Sequence, residues 1–317
     1  MAKPHITKPP ASPANPASPA ARYPFLRGLD RMRLRFGKLR GSSSTGVRPT
    51  LALGAGLDFR ESRRYAPGDD LRFLDWNAYG RLNQLYLKQF EAFGELMLDV
   101  IVDRTPSMDF GGKGPGTAGH KLTFARNLAA ALGYVGLNSL DRAQMLTLPW
   151  AAHQRLIAWQ GRNRIPQWLD AVDRLDVAPI QQHARTLLDL LADRRNNHMV
   201  VVITDFQESE VWFSFLEALR RHTPGIFVLH LLAPEERDPP LHPGDVDLFD
   251  GEWSRGKGSR VELTSAALTA YREELFHHLR RVHAWCRQKR IGYMLLDTAA
   301  PPSTELWQQF RLSGLWD

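Results

Sequence analysis

Four oxygen-bearing side chains follow two apolar runs of the sequence. Asp103, Thr105 and Ser107 occupy alternate positions in "VIVDRTPSM", and Asp205 ends "VVITD" much later in the chain. On a turning loop, this i, i+2, i+4 spacing lets three oxygens converge on one point. Hard oxygens of this kind suit Mg²⁺ or Mn²⁺, which prefer octahedral oxygen ligands and retain several waters. These residues therefore form a candidate divalent-cation site.

The order of predicted elements places the two aspartates together. Apolar runs that predict strands cover residues 96–103, 143–149, 154–159, 198–205, 225–232 and 291–297, with a hairpin from 245–250 and 259–264. Helical patterns separate them at residues 122–139, 162–175, 182–195, 211–221 and 265–289. This alternation predicts a doubly wound α/β fold with a mostly parallel sheet covered on both faces. Ligands bind such sheets outside the carboxyl ends of the strands, where both aspartates would lie.

The segment before this body carries the basic charge of the chain. Residues 1–48 hold ten Lys or Arg and one Asp, or 10 − 1 = +9, which leaves −2 for the rest of a chain of net charge +7. Residues 1–22, rich in Pro and Ala, predict a disordered tail that is dispensable for folding. Residues 23–48 form a basic segment and linker, in which apolar residues from Tyr23 to Leu39 predict an amphipathic helix. Its apolar stripe would pack on the body, the favoured interpretation, or contact a membrane surface or an acidic partner.

Residues 49–95 form a charged and aromatic block. Six basic and six acidic residues between positions 56 and 91 lie among aromatic side chains, which are Phe59, Tyr65, Phe73, Trp76 and Tyr79. We expect a compact network of ion pairs and hydrogen bonds anchored by these aromatics. At the other end of the chain, residues 301–317 form a tail or a helix.

Cysteine content and hydropathy indicate a reducing location. The single cysteine, Cys286, excludes an intrachain disulfide and is expected to pack within a helix. No apolar run approaches the ~20 residues that a membrane-spanning helix needs, and no signal-peptide core is present. We therefore expect a cytoplasmic protein without a membrane span. No nucleic-acid motif accompanies the basic segment, so we expect no nucleic-acid partner.

Several motifs resemble known families. "DRTPS" resembles the D-x-S-x-S element of von Willebrand factor A domains, whose metal-ion-dependent adhesion site also takes an aspartate from a later strand end, the position of Asp205 here. The charged block followed by "DVIVDRTPSM" is similar to the signature of the domain of unknown function 58 family. Later stretches, "GDVDLFD", "AYREEL" and "CRQKRIGYMLLDT", extend that resemblance from about residue 50 to 300. It implies a von Willebrand factor A-like domain over residues 96–300, with the block 49–95 packed against it.

The resemblance also implies a function and a partner. It implies a non-enzymatic adaptor or assembly role beside a MoxR-type AAA+ ATPase, acting on an unknown client protein. Many family members carry transmembrane helices, and this chain resembles the soluble branch. In the implied site, Thr105 stands where the first serine is expected. The threonine that a second loop supplies is missing, because Thr186 falls inside a predicted helix.

Two interpretations of the site stay open. In one, Asp103, Thr105, Ser107 and Asp205 bind Mg²⁺ or Mn²⁺, with Asp109 as a further outer ligand and a partner carboxylate completing the shell. In the other, the two aspartates cap backbone amides and bond the hydroxyls without metal.

Two other motifs of enzymes can be compared with these residues. A metal-dependent hydrolase or phosphatase using Asp103 and Asp205 would need an additional base or lysine clamp, which the sequence does not identify. The nearby "GGKGPGTAGHKLT" is no P-loop, since His120 separates Gly119 from Lys121. We expect a flexible loop over the site, with at most a weak anion contact from Lys121.

Overall fold

The computed structural model describes most of the chain. The described residues are 22–34, 57–67, 71, 74–92, 97–139, 141–149, 157–178, 198–223, 225–241, 244–248, 259–300 and 302–316. Elements are numbered here in chain order. The strands are β1 (Leu57–Arg64), β2 (Tyr86–Ala92), β3 (Met97–Asp103), β4 (Arg142–Leu148), β5 (Ala158–Gln160), β6 (His198–Thr204), β7 (Gly225–Leu232), β8 (Gly244–Leu248), β9 (Ser259–Leu263) and β10 (Gly292–Asp297). The α-helices are α1 (Trp76–Leu82), α2 (Lys121–Asn138), α3 (Ile165–Asp173), α4 (Ser209–Arg220), α5 (Pro234–Arg237), α6 (Ser265–Gln288) and α7 (Thr304–Leu312).

A six-stranded sheet forms the centre of the molecule. Its order is β10-β7-β6-β3-β4-β5, with five parallel strands and an antiparallel edge strand, β5. The chain runs outward from β3 through β4 to β5 and then returns to the other side of β3 as β6. The topological switch point therefore lies between β3 and β6. The predicted doubly wound, mostly parallel α/β fold is confirmed.

Two apolar layers cover the sheet because its central strands are buried on both faces. Leu98, Val100 and Val102 of β3 face one core, which contains α2, α3 and α7. Ile101 faces the other, which contains α4 and part of α6. Cys286 is buried on α6, as expected for a packing residue, and burial raises the pKa of its thiol to about 12.

The predicted amphipathic helix from Tyr23 to Leu39 is wrong in the part that the structure describes. Only a short 3-10 helix forms, over Pro24–Leu29, and Leu34 then pairs with Trp316 in an isolated β-bridge. Pairing with the end of the chain overrides the local helical pattern here. The favoured packing is confirmed nonetheless, since Tyr23, Leu26 and Leu29 are buried. Residues 1–21 and 35–48 lie outside the described residues.

The block 49–95 contains its own small sheet. β1 and β2 pair antiparallel, and α1 lies between them in sequence, capped by the Asp75 carboxylate. Trp76 and Tyr79 contact each other edge to face, with ring centroids 6.3 Å apart. Both residues are exposed, and Trp76 is 66% exposed. They therefore do not anchor the compact network that the sequence predicts. The side chains of Phe59 and Phe73 lie outside the described part.

The C-terminal segment completes the first core. Residues 301–317 were expected to be a tail or a helix, and α7 forms there. Trp307 stacks on Trp316 at 5.2 Å between ring centroids, and Phe310 contacts Trp316 edge to face. All three side chains are buried.

Two remaining expectations concern the hairpin and the helix before β6. β8 and β9 pair antiparallel, which confirms the predicted hairpin. The helix predicted at residues 182–195 lies outside the described residues. None of the helices that the structure describes is long and apolar enough to cross a membrane.

Candidate functional site

Asp103, Thr105, Ser107 and Asp205 meet at the carboxyl edge of the sheet, at the switch point. Asp103 ends β3, and one of its carboxylate oxygens accepts hydrogen bonds from the Thr105 amide at 2.9 Å and the Thr105 hydroxyl at 2.7 Å. The other oxygen accepts the Thr204 hydroxyl at 2.7 Å. The Thr105 and Ser107 hydroxyl oxygens lie 3.0 Å apart. The four residues predicted from spacing thus share one cluster.

The loop after β3 holds its hydroxyls in place by local geometry and by burial. Thr105 precedes a 3-10 turn over Pro106–Met108, and proline suits the first position of such a turn. Met108 is fully buried in the first core. The turn therefore has little freedom to move away from Asp103.

Lys121 joins the cluster through Asp205. Its ammonium lies 2.6 Å from Asp205 Oδ2 and 2.6 Å from Glu236 Oε1. The side chain is 1% exposed, and the ring of Phe110 lies 5.4 Å from the ammonium. Asp205 Oδ1 accepts the Gln207 amide at 3.2 Å. An internal cation thus bridges the loop after β6 and the start of α5.

The glycine-rich loop over residues 111–119 places Lys121 in this position. Lys121 begins α2, and its amide donates to the Phe110 carbonyl at 2.9 Å. Gly111 and Gly112 adopt positive φ, and a Cβ at either would collide with the backbone of residues 118–119. Only glycine is compatible with this close approach of the two ends of the loop. Lys121 pairs with two carboxylates of the protein itself, and a contact with an anionic ligand stays a prediction.

Burial and neighbouring charge set the protonation of the cluster. Burial raises the pKa of Asp103 to about 7, and the negative charge of Asp205 adds to that shift. Burial also opposes ionisation of Asp205, but the charge and hydrogen bond of Lys121 outweigh it and hold that pKa below its ordinary value. Burial alone would lower the pKa of Lys121. The charges and hydrogen bonds of Asp205 and Glu236 raise it by more than burial lowers it, so the net shift is upward. Lys121 and Asp205 are therefore a charged pair beside Asp103, a carboxyl whose pKa is raised well above its ordinary value.

His230 hydrogen-bonds the backbone of Asp205 as a neutral imidazole. Its Nε2 donates to the Asp205 carbonyl at 3.0 Å, which leaves Nδ1 to accept the Tyr293 hydroxyl at 2.9 Å. Burial lowers the pKa of His230 to about 3. The imidazole is a structural support, with both ring nitrogens engaged.

An open cleft of about 290 Å³ adjoins the cluster. It lies between the ends of β6 and β7 and one face of α6. Its lining residues are Asp205, Gln207, His230, Leu232, Glu236, Tyr271, Glu274, Leu275, His278 and Leu279. The Tyr271 hydroxyl donates to the Glu236 carbonyl at 2.6 Å and fixes the cleft wall to α5.

The described residues do not fit a bound divalent cation as they are arranged. Each of the four carboxylate oxygens of Asp103 and Asp205 already accepts a hydrogen bond. Among the residues that the structure describes, no group of three or more His, Cys, Asp or Glu side chains could hold a metal ion. Asp109, the suggested outer ligand, accepts His120 Nε2 at 2.9 Å instead. Thr186 lies outside the described residues, and the metal stays an untested prediction.

The site has four further members, Lys121, Thr204, Glu236 and His230, of which the sequence analysis names only Lys121, with a weak anion contact. A signal existed for two of them, because Lys121 begins the helix after β3 and Thr204 precedes Asp205, so both belong to the same edge. The contacts of Glu236 and His230 depend on how β7 and α5 lie beside β6. Sequence spacing carried no signal for that arrangement.

The fold and the edge cluster define a class of protein. It is an α/β protein with a doubly wound sheet of the Rossmann or von Willebrand factor A-like kind, with a polar cluster at the switch point. Residues 61–281 match the family model described as "Protein of unknown function DUF58". The chain belongs to the DUF58 family.

Curated relatives carry no assigned function. An uncharacterized protein of Mycobacterium tuberculosis H37Rv is 30% identical over 203 residues, and one of Mycobacterium bovis shows the same identity. The match covers 63% of this chain and 62% of each relative, so the chain spans less than two thirds of the length of these relatives.

Two solved structures show weak similarity. The conserved hypothetical protein BatB from Bacteroides thetaiotaomicron aligns with 69% of this chain and 96% of its own, at 11% identity and a TM-score of 0.36. An uncharacterized membrane spanning protein from Vibrio fischeri aligns with 68% of this chain and 98% of its own, at 13% identity and a TM-score of 0.19. Neither TM-score reaches 0.5.

Proposed function

We propose that this chain is a non-enzymatic interaction protein that binds its partner at the carboxyl edge of β3 and β6. The partner is a MoxR-type AAA+ ATPase, and the pair acts in assembly or maturation of a client protein. The choice of ATPase rests on the family resemblance in sequence, and a cytoplasmic location accords with the single buried cysteine. One observation carries the binding role: the polar cluster is hydrogen-bonded internally, whereas Phe110 above it is 45% exposed.

The state of the polar groups favours binding over chemistry. The hydroxyls of Thr105 and Thr204 both donate to Asp103, and Lys121 is held between two carboxylates. A cluster in this state presents a fixed surface to a partner.

The alternative, a metal-dependent hydrolase or phosphatase using Asp103 and Asp205, gains no specific support from the described residues. His230, the histidine nearest to Asp205 in hydrogen bonding, is fully buried and engages both ring nitrogens. Lys121 could act as a lysine clamp on a phosphate only by leaving Asp205 and Glu236. We therefore do not propose a catalytic role.

Binding of the MoxR-type ATPase encoded in the same genome tests the proposal. The dissociation constant would be measured by biolayer interferometry with the purified ATPase for the wild-type protein and for Phe110→Ala. Exposed aromatic side chains anchor many protein interfaces, and losing one such anchor weakens binding about tenfold or more. We expect saturable binding by the wild type and at least a ~10-fold weaker complex for the variant.

Leu312→Ala is the matched control for this experiment. Leu312 is 88% exposed at the end of α7, away from the β3–β6 edge, so its truncation should leave binding unchanged. Equal losses in both variants would place the interface elsewhere. A wild-type protein that does not bind the ATPase would contradict the choice of partner.

A further inference from the structure

The ammonium of Lys121 supplies a positive charge to the polar cluster at the carboxyl edge of β3 and β6. It approaches Asp205 and Glu236 at 2.6 Å each, distances typical of strong charge-assisted hydrogen bonds. The two carboxylates come from different loops, after β6 and after β7. We infer that Lys121 is a built-in cation that takes the place of a divalent metal ion in this site.

Because Lys121 and Asp205 are buried, the site favours the ammonium over a metal ion. The Lys121 side chain is 1% exposed and that of Asp205 is 2% exposed, so neither charge is compensated by water. A buried charge without a partner is strongly unfavourable, which ties each group to the other. A metal ion that entered would need to displace the ammonium or stand beside it, and like charges at such short range repel strongly.

The surrounding hydrogen bonds lead to the same conclusion. The two carboxylate oxygens of Asp103 accept hydrogen bonds from the Thr105 and Thr204 hydroxyls, and the Thr105 hydroxyl oxygen lies 3.0 Å from that of Ser107. Glu236 uses its second carboxylate oxygen to accept the Ala233 amide at 2.8 Å. With lysine as the cation, every carboxylate oxygen of Asp103, Asp205 and Glu236 accepts at least one hydrogen bond.

The net charge of the site differs from that of a metal centre, and so does its preference for the charge of a partner. A bound Mg²⁺ would attract a partner carboxylate, as the sequence resemblance implies. With Lys121 between Asp205 and Glu236, the three charges sum to −1, so the edge offers no excess positive charge to an acidic group. This inference rests on the proposed function for the role of the edge, and it adds that partner binding needs no divalent cation.

Manganese titration followed by electron paramagnetic resonance tests the inference without any partner. The samples are the wild-type protein, Lys121→Met and the double variant Lys121→Met with Asp103→Asn. Lys113→Met, on the exposed part of the glycine-rich loop, is the matched control. We expect no stoichiometric Mn²⁺ binding by the wild type or the control. We expect at least tenfold tighter, saturable binding by Lys121→Met, and its loss in the double variant.

Lys121→Gln provides a second variant if Lys121→Met does not fold, since its amide still donates to Asp205. The wild-type titration also decides by itself. One Mn²⁺ bound per wild-type chain and lost in Asp103→Asn would overturn the inference, and so would a folded Lys121 variant that takes up no manganese.

A parallel titration with the ATPase, in chelator and in Mg²⁺, separates the two proposals. Equal affinity in both conditions supports the inference. Binding that requires Mg²⁺ bound to this chain would overturn it and leave the proposed function intact. Absence of ATPase binding together with manganese-free wild-type protein would count against the proposed function alone.

Discussion

At the scale of single residues, the pair Lys121 and Asp205 dominates the energetics of the site. Both side chains are buried, and Glu236 supplies a second carboxylate to the same ammonium. Replacing such a network as a whole can be neutral, but removing one member leaves uncompensated charge in the protein interior. The single lysine therefore has a larger effect on stability than its position at a loop end implies.

Lys121→Met is expected to lower the free energy of unfolding by about 3–5 kcal/mol, because it leaves the buried Asp205 carboxylate without its cation and beside the partly buried Glu236. Urea denaturation at pH 7 measures the change. Lys113→Met removes an exposed ammonium from the same loop and should stay within about 0.5 kcal/mol of the wild type. Equal stability of the two variants would show that the buried ion pairs do not form in solution.

His230 should make the folded protein sensitive to acid. Burial lowers its pKa from about 6.5 to about 3, so between these values the unfolded chain binds a proton that the folded chain does not. Stability is then lost as pH falls from about 6.5 towards 3, by about 1.4 kcal/mol per pH unit from this residue. His230→Gln keeps a donor and an acceptor without titrating and should reduce the slope of stability against pH by that amount.

Denaturant unfolding at several pH values between 4 and 7 measures this slope. His222→Gln, at an exposed position just after α4, controls for the exchange of a surface imidazole. An unchanged slope in His230→Gln would mean that His230 accepts a proton in the folded state.

The predictable part of the site follows from strand ends. Asp103, Thr105, Ser107 and Asp205 could be placed together because parallel strands bring their carboxyl ends to one edge. The partner of Asp205 could not be predicted, since it depends on the path of the glycine-rich loop and on which side chain begins α2. Residues on separate loops that pair by charge have no regular spacing in the sequence, so spacing cannot predict the pair.

At the scale of elements, α2 and α3 pack through a glycine. A Cβ at Gly133 of α2 would overlap the indole of Trp168, which is fully buried and donates from Nε1 to the Ala129 carbonyl at 3.0 Å. Trp159 contacts the same indole edge to face at 5.5 Å between ring centroids. The close approach of the two helices therefore requires the missing side chain.

Gly133→Ala should destabilise the protein by about 1–3 kcal/mol, because overpacking outweighs the better helix propensity of alanine. Thermal unfolding measures the change. Gly80→Ala, in α1, is the control, since a Cβ there meets no atom within 4 Å and alanine should be neutral or stabilise the helix by up to about 1 kcal/mol. A Gly133→Ala protein as stable as the wild type would contradict the described helix packing.

Elements with a strong period were predicted well, and the exceptions have physical causes. The apolar runs that became β3, β6 and β7 are buried on both faces, which continuous hydrophobicity indicates. The segment after Tyr23 shows a helical pattern, yet Leu34 pairs with Trp316, 282 residues later in the chain. Local patterns cannot report a pairing across that sequence separation.

At the scale of the whole molecule, the two ends of the described chain close the first core together. The 3-10 helix at Pro24–Leu29 lies in the same apolar cluster as Phe310 and Trp316. Phe25 contacts Trp307 at 5.6 Å between ring centroids. The C-terminal segment is thus part of the fold and belongs with residues 96–300 in its packing.

Deletion of residues 303–317 should therefore unfold the protein or strongly lower its melting temperature, because it removes several fully buried aromatic side chains. Truncating even one such side chain costs about 3–5 kcal/mol. Calorimetry or limited proteolysis measures the effect. Deletion of residues 1–21, predicted to be dispensable, is the comparison. A C-terminal deletion that melts with the wild-type protein would contradict the described packing.

The class of fold could be predicted from the whole sequence, but its detailed arrangement could not. Alternating strands and helices specify a doubly wound sheet, whereas the return of β6 to the far side of β3 must be observed. The exposure of Trp76 and Tyr79 was also missed, because composition alone does not show which aromatic side chains find a core.

Diffraction from wild-type crystals grown in manganese, recorded at the manganese absorption edge, tests the site most directly. The expected map shows the Lys121 ammonium within hydrogen-bond distance of Asp205 and Glu236, with no anomalous peak beside Asp103 or Asp205. An anomalous peak coordinated by these two aspartates, with Lys121 displaced, would contradict the assignment of Lys121 as the cation of the site.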